Sequence, residues 1–169
     1  MVASPIYVEA AAATQTQQSM RPKRPKNTKT RKEAIKHGYR SGLEHSIATD
    51  LARRGCKFAY ESEVLVYAHK LSGGKCRDCG GKRVDKLRKY TPDFTLANGR
   101  RVEAKGYFTA RDRTKLLSVK EQEGLPAISI LFSADNWCTK RHKHRYSEWA
   151  KANGFEYHVG KTIPIKWTL

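Results

Sequence analysis

Acidic residues are scarce in this chain: 16 Asp and Glu stand against 34 Lys and Arg in 169 residues, a formal net charge of +18. That excess is far beyond what solubility needs and calls for a polyanionic partner, nucleic acid first. Long apolar runs are missing too. No stretch approaches the ~18–20 residues of a spanning helix, and the basic segments lack an apolar face of their own, which argues against a membrane surface. The N-terminus, MVASPIYVEAAAATQTQQSM, has no basic region ahead of its short apolar patches, so a secretory signal is not expected and the cytosol is the expected setting. Cysteine is sparse. In that compartment Cys56, Cys76, Cys79 and Cys138 read as thiols or metal ligands before they read as disulfides.

What is present suits one domain with a tail. Residues 1–20 are rich in Ala, Thr and Gln, and residues 21–40 carry nine Lys or Arg against Glu33 alone. Neither half can bury a core, so residues 1–38 are expected to form a mobile basic arm ahead of a domain over 39–169. In RSGLEHSIATDLARRG, Leu43, Ile47 and Leu51 recur at helical spacing and Gly55 supplies a stop. KFAYESEVLVYAH reads as one strand, alternating at Phe58/Tyr60 and Val64/Val66. Two strands joined at Asn98-Gly99 follow, then a helix from Thr109 to about Gln122, a buried strand AISILFS, a short helix SEWAKANG and a last strand FEYHV. The order predicts an α/β fold, a mixed sheet flanked by helices.

Chemistry concentrates in YTPDFTLANGRRVEAKG (90–106). Strand side chains alternate faces, so Glu103 and Lys105 point one way and Val102 and Ala104 the other. A three-residue loop Ala97-Asn98-Gly99, with Gly99 left-handed, sets Asp93 opposite Glu103 and Phe94 opposite Val102. A two-residue Asn-Gly turn would instead press Glu103 against the core, so the pattern prefers the longer loop. Opposed carboxylates repel unless something positive lies between them. Hard oxygen ligands suit Mg²⁺, with Mn²⁺ as a substitute. Such an ion would polarise a phosphodiester and acidify a water, with Lys105 acting on the nucleophile or on charge developing at phosphorus. Pro92 fits an edge or a strand start. A hairpin with casual surface charges is the plainer alternative.

Pro92-Asp93, nine residues, then Glu103-Ala104-Lys105 matches the PD-(D/E)xK nuclease signature. Together with YRSGLE, GCKFAYE, YTPDFTLANG, VEAKG and IPIKW, the chain from about Tyr39 to Trp167 resembles the endonuclease I family of tailed bacteriophages, the T-seven type of Holliday-junction resolvase. The resemblance implies a restriction-endonuclease-like core, Mg²⁺-dependent cleavage of four-way and other branched DNA, and the cytoplasm of an infected bacterium as the setting. It also implies a strand-exchanged homodimer whose active sites draw on both protomers, and a further metal-site carboxylate at Glu44. Ser41 and Glu44 also spell a capping box, in which Glu44 would merely bond the helix start. The rival readings are a mismatch-nicking or transposase-associated nuclease on the same core, and a junction-binding protein without catalysis.

Weaker signals surround the motif. Residues 68–89 form a basic insertion longer than the family's usual connection, and its Cys76-Arg77-Asp78-Cys79 is half of a Zn²⁺ site, needing Cys56, Cys138, His69 or a second protomer to complete it. A basic hairpin tip is the plainer reading there. KRHKHR (140–145) contributes Lys140, Arg141, Lys143 and Arg145 as candidate phosphate contacts, with His142 and His144 among them and Trp137 and Tyr146 flanking. Arg40, Arg111, Arg113 and Lys115 are further candidates.

Overall fold

The computed structural model describes residues 28–69 and 86–169. Residues 1–27 of the expected arm, and the expected zinc ligands Cys76 and Cys79, lie outside the described residues.

The centre is a five-stranded mixed sheet in the order β1 (Phe58–Tyr60), β4 (Phe94–Leu96), β5 (Arg101–Lys105), β6 (Ile128–Phe132), β7 (Tyr157–Val159). β1, β4 and β5 run antiparallel in turn, whereas β6 and β7 continue parallel to β5. Parallel pairing requires a crossover, and α3 (Ala110–Lys120) supplies the one between β5 and β6. α4 (Tyr146–Ala152) supplies the next. β6 is buried at every position, as expected of a strand covered on both faces.

Two cores follow from that strand. Against one sheet face, Ile47, Ala48 and Leu51 of α2 (Gly42–Arg53) pack on Phe94, Val102, Ala104 and Leu131, closed by Ile163 and Trp167. On the other, Leu116 and Val119 of α3 and Ala150 of α4 enclose Ile130 and Phe132. Leu65, Tyr67 and Tyr90 join this second core from a separate antiparallel ribbon, β2 (Leu65–His69) with β3 (Lys86–Tyr90).

Three expectations are corrected. The single strand over KFAYESEVLVYAH is two, in different sheets: Glu61 adopts φ 44, which breaks the strand, and Leu65 and Tyr67 are buried while Val64 and Val66 are exposed. The insertion over 68–89 is not wholly loop, because Lys86–Tyr90 pairs residue for residue with β2. The arm does not extend to 38: α1 (Thr28–Lys36) is helical and seats Ala34 in full burial beside α2. A single small apolar residue suffices for that contact, so hydrophobic periodicity could not reveal it.

Candidate active site

The hairpin between β4 and β5 sets the first half of the site. Phe94 pairs with Val102 and Thr95 with Arg101, so the register extended by one residue puts Asp93 across from Glu103. Leu96 N–H donates to Arg100 C=O, closing the three-residue loop, and Gly99 takes φ 82. A residue with a Cβ would be strained there. Phe94 and Val102 are consequently buried in one core, and Glu103, only 2% exposed, lies on the opposite face.

Glu103 is enclosed by positive and donating groups. Lys105 Nζ lies 2.8 Å and Lys115 Nζ 3.2 Å from its Oε1, while the buried Tyr90 hydroxyl donates to Oε2 at 2.6 Å. Lys115 also stands over the Tyr90 ring, 4.7 Å from its centroid. Asp112 completes the group, its Oδ1 3.5 Å from Lys105 Nζ. The helix delivers these two residues: Thr109 and Asp112 form a reciprocal capping box at its start, and Lys115 follows Asp112 by three positions on the same helix face. Burial pushes the Lys105 pKa down, but Glu103, Asp93 and Asp112 outweigh it and hold the ammonium above its ordinary range. These three carboxylates favour the charged form of Lys105.

Asp93 is the strained member. Its Oδ2 accepts from Ala104 N–H at 2.8 Å, and among the described residues no donor reaches Oδ1. Burial, then Glu103, and more weakly Glu44, push its pKa up to about 7 against the opposing pull of the Ala104 N–H and Lys105. An extra positive charge would relieve that situation directly, which fits a cation site built from hard oxygen donors.

Glu44 reaches this cluster from α2 while also performing the capping role. Ser41 Oγ accepts from Glu44 N–H and donates to Glu44 Oε1 at 2.6 Å, and Oε2 accepts from Arg40 N–H and from the Tyr60 hydroxyl, the latter at 2.6 Å. Burial, followed by that bond to Glu44, raises the Tyr60 pKa, so the hydroxyl stays a donor. Glu44 thus lies near enough to Asp93 to add to the rise in its pKa while its own oxygens are bound within the cap and to Tyr60. As the side chains lie, no three His, Cys, Asp or Glu among the described residues surround a common point, because Glu44 is held by its cap and Glu103 by two lysines.

The basic candidates divide. Lys115 belongs to the Glu103 cluster. Arg113 is tied into the fold, donating to the Phe108 and Cys138 carbonyls and lying over the Phe108 ring. Arg40 pairs with Glu61, and Arg145 donates to the Asp135 carbonyl and covers Trp137. Lys140, Arg141 and Lys143 are exposed on a turn closed by the Cys138 to His144 backbone bond and by the Trp137–Arg145 bridge. The segment leading to that turn begins beside the site, with Ser133 N–H on the Lys105 carbonyl. Arg111 is exposed on α3. Tyr90 and Asp112 escaped the sequence reading, and Tyr60 was read there without its bond to Glu44. Only the Thr109-x-x-Asp112 cap spacing hinted at any of them, and a cap alone says nothing of Lys105.

Among the described residues no helix is long and apolar enough to cross a membrane. The profile of the family described as phage endonuclease I matches residues 26–169. Endonuclease I of Escherichia phage T7 is 34% identical over 132 residues, covering 76% of this chain and 77% of its own. Endodeoxyribonuclease 1 of Enterobacteria phage T3 is 34% identical over 130 residues, or 75% of this chain and 74% of its own. With its register, its carboxylates and its lysine all falling inside the matched region, this chain belongs to the phage endonuclease I family.

Proposed function

We propose that this protein is a metal-dependent DNA endonuclease with a PD-(D/E)xK core, which hydrolyses phosphodiesters at four-way and other branched junctions and works as a homodimer. The observation that carries the reading is Asp93 set across from Glu103 beside Lys105, with Glu44 close enough to add to the rise in the Asp93 pKa. Membership of a family named for endonuclease activity points the same way.

Asp93 and Glu103, with Glu44, would hold Mg²⁺ or Mn²⁺, which when bound supplies Lewis acidity toward the phosphodiester and toward water. Lys105 provides permanent positive charge for the phosphorus centre as negative charge builds there. Tyr90 and Lys115 hold the Glu103 carboxylate in the site, and an ion would take the place of a lysine on its Oε1. Buried walls around Glu103 keep these charges in a low-dielectric setting where they act strongly.

Support for two copies comes from the ribbon. Val66 and Ala68 pair with Lys89 and Leu87, so one ribbon face carries Val66 and Leu87, 50% and 76% exposed, with Val64 beside them at 56%. Apolar groups on an open strand pair suit a second copy of the same surface, and a two-fold dimer matches the near two-fold symmetry of a four-way junction.

The test is strand cleavage of an immobile four-way junction beside its linear duplex, in Mg²⁺ and in EDTA, with wild type and Lys105→Ala. Paired nicks on opposing strands, requiring Mg²⁺ and lost in the variant, are expected. Equal cutting of the linear duplex would remove the junction preference, and binding without cutting under any divalent ion would remove the nuclease.

A further inference from the structure

A groove of about 460 Å³ opens between the β2–β3 ribbon and α3, lined by Tyr67, His69, Arg88, Arg111, Thr114 and Lys115. Its walls are fastened together, since Ala68 N–H of the ribbon donates to Gln122 Oε1 just beyond α3. The inner end is Lys115, whose Nζ contacts Glu103, so the groove starts where the carboxylate cluster stops.

Several arginines elsewhere on the surface are neutralised locally. Arg40, Arg53, Arg54, Arg100 and Arg101 each pair with a carboxylate. Among the described residues Arg88 and Arg111 have no acidic partner and none of the groove's lining residues is a carboxylate. Both guanidinium groups lie close enough to the Tyr67 hydroxyl to oppose the rise in its pKa that burial causes. His69 Nδ1 is buried there without a hydrogen-bond partner. Like charges gathered on two fastened walls repel, and a buried ring nitrogen left unpaired is costly. Both conditions are relieved by an anion with several acceptor oxygens.

We propose that this groove is a phosphate subsite for the DNA strand that runs through the active site, with Arg88 and Arg111 clamping a backbone phosphate next to the scissile one and His69 and Thr114 at its edge. The assignment rests on the nuclease reading for the identity of the anion. A planar guanidinium offers paired donors to phosphate oxygens, and such contacts fix position and register without reading sequence. Lys115 then serves both compartments, aiming Glu103 on one side and closing the groove on the other.

Equilibrium binding of a labelled four-way junction and of a linear duplex to the intact protein, in EDTA and over a range of salt, tests this without any cleavage. The Arg88→Gln/Arg111→Gln double variant is expected to bind both DNAs at least about tenfold more weakly. Its log–log salt slope should be shallower by about one for each site engaged, at ~0.9 for the one phosphate no longer neutralised there. Arg→Lys at both positions should restore most of the slope. Lys151→Gln, an exposed charge on α4 away from the groove, should stay within about twofold of wild type. Arg88 and Arg111 are both exposed, so the fold should survive, and Arg111→Gln alone provides the same readout if the double variant does not fold. Wild-type affinity and slope in the double variant, or an equal loss in Lys151→Gln, would overturn the subsite. Absent cutting of junctions by a wild type that still binds DNA would overturn the nuclease reading and leave the groove result standing.

Discussion

Replacing Asp93 by Asn should make the protein more stable at pH 8, because the site holds a carboxylate where the fold disfavours one. The Asp93 proton leaves near pH 7 instead of 3.8. The gap is about 3 pH units, and at about 1.4 kcal/mol for each the buried anion costs up to ~4 kcal/mol. An amide keeps the shape, and its oxygen can still accept from Ala104 N–H. Relaxation around the charged form trims the figure, so a gain of about 2–4 kcal/mol is expected, or several degrees in Tm for a chain of this size. The sign follows from linkage. A carboxyl raised in the folded state favours folding fully below its unfolded pKa, and loses that contribution as pH rises to the folded value. Wild type and Asp93→Asn should therefore be nearly equal at pH 4, diverge up to about pH 7, and stay a constant distance apart above it. Urea denaturation in EDTA at several pH values measures this. Equal stability at pH 8, or a gap that widens toward acid, would refute the crowding of carboxylates at this point.

Two further substitutions probe the supports. Tyr90→Phe removes the donor to the buried Glu103 Oε2 and should destabilise the fold by about 1–3 kcal/mol in a thermal melt. A neutral result would mean that Oε2 finds water. Gly99→Ala places a Cβ at φ 82 and should cost about 1–2 kcal/mol, while leaving space unaffected because nothing lies within 4 Å of the added carbon. Unchanged stability would imply that the loop can take another conformation.

The active-site hairpin was legible because two signals coincide there. Alternation assigns Val102 and Ala104 to a core, Asn98-Gly99 marks the turn, and only a three-residue loop satisfies both with Phe94 inward. The helix carrying Glu44 was legible for the same kind of reason, a cap followed by Ile47 and Leu51 one turn apart. Tertiary facts escaped. Glu61 is not a residue type that announces a left-handed break, so the strand ahead of it looked continuous with β2, and the alternation at Val64 and Val66 does not say that Leu65 and Tyr67 are the buried pair. In β3, KLRKY carries its one exposed apolar residue, Leu87, toward solvent, which no period-two reading would assign to a strand facing a core. Lys115 looked like any basic residue on a helix until β5 and α3 came together, since nothing in its spacing ties it to Glu103.

The excursion between β1 and β4 leaves and re-enters the sheet at a single place. Tyr60 pairs with Phe94, and Glu61 N–H donates to the Asp93 carbonyl, so the thirty-odd intervening residues span almost no distance. Closing such a loop costs free energy that grows only with the logarithm of its length. Segments can therefore be lengthened, shortened or exchanged there while Asp93 and Glu103 keep their register, since β4 is pinned by β1 on one side and β5 on the other. Asp93 and Glu103, the proposed metal ligands, are set by the pinned strands, and Arg88 and His69 lie on the excursion. The groove can therefore be remodelled without disturbing the carboxylates beside it.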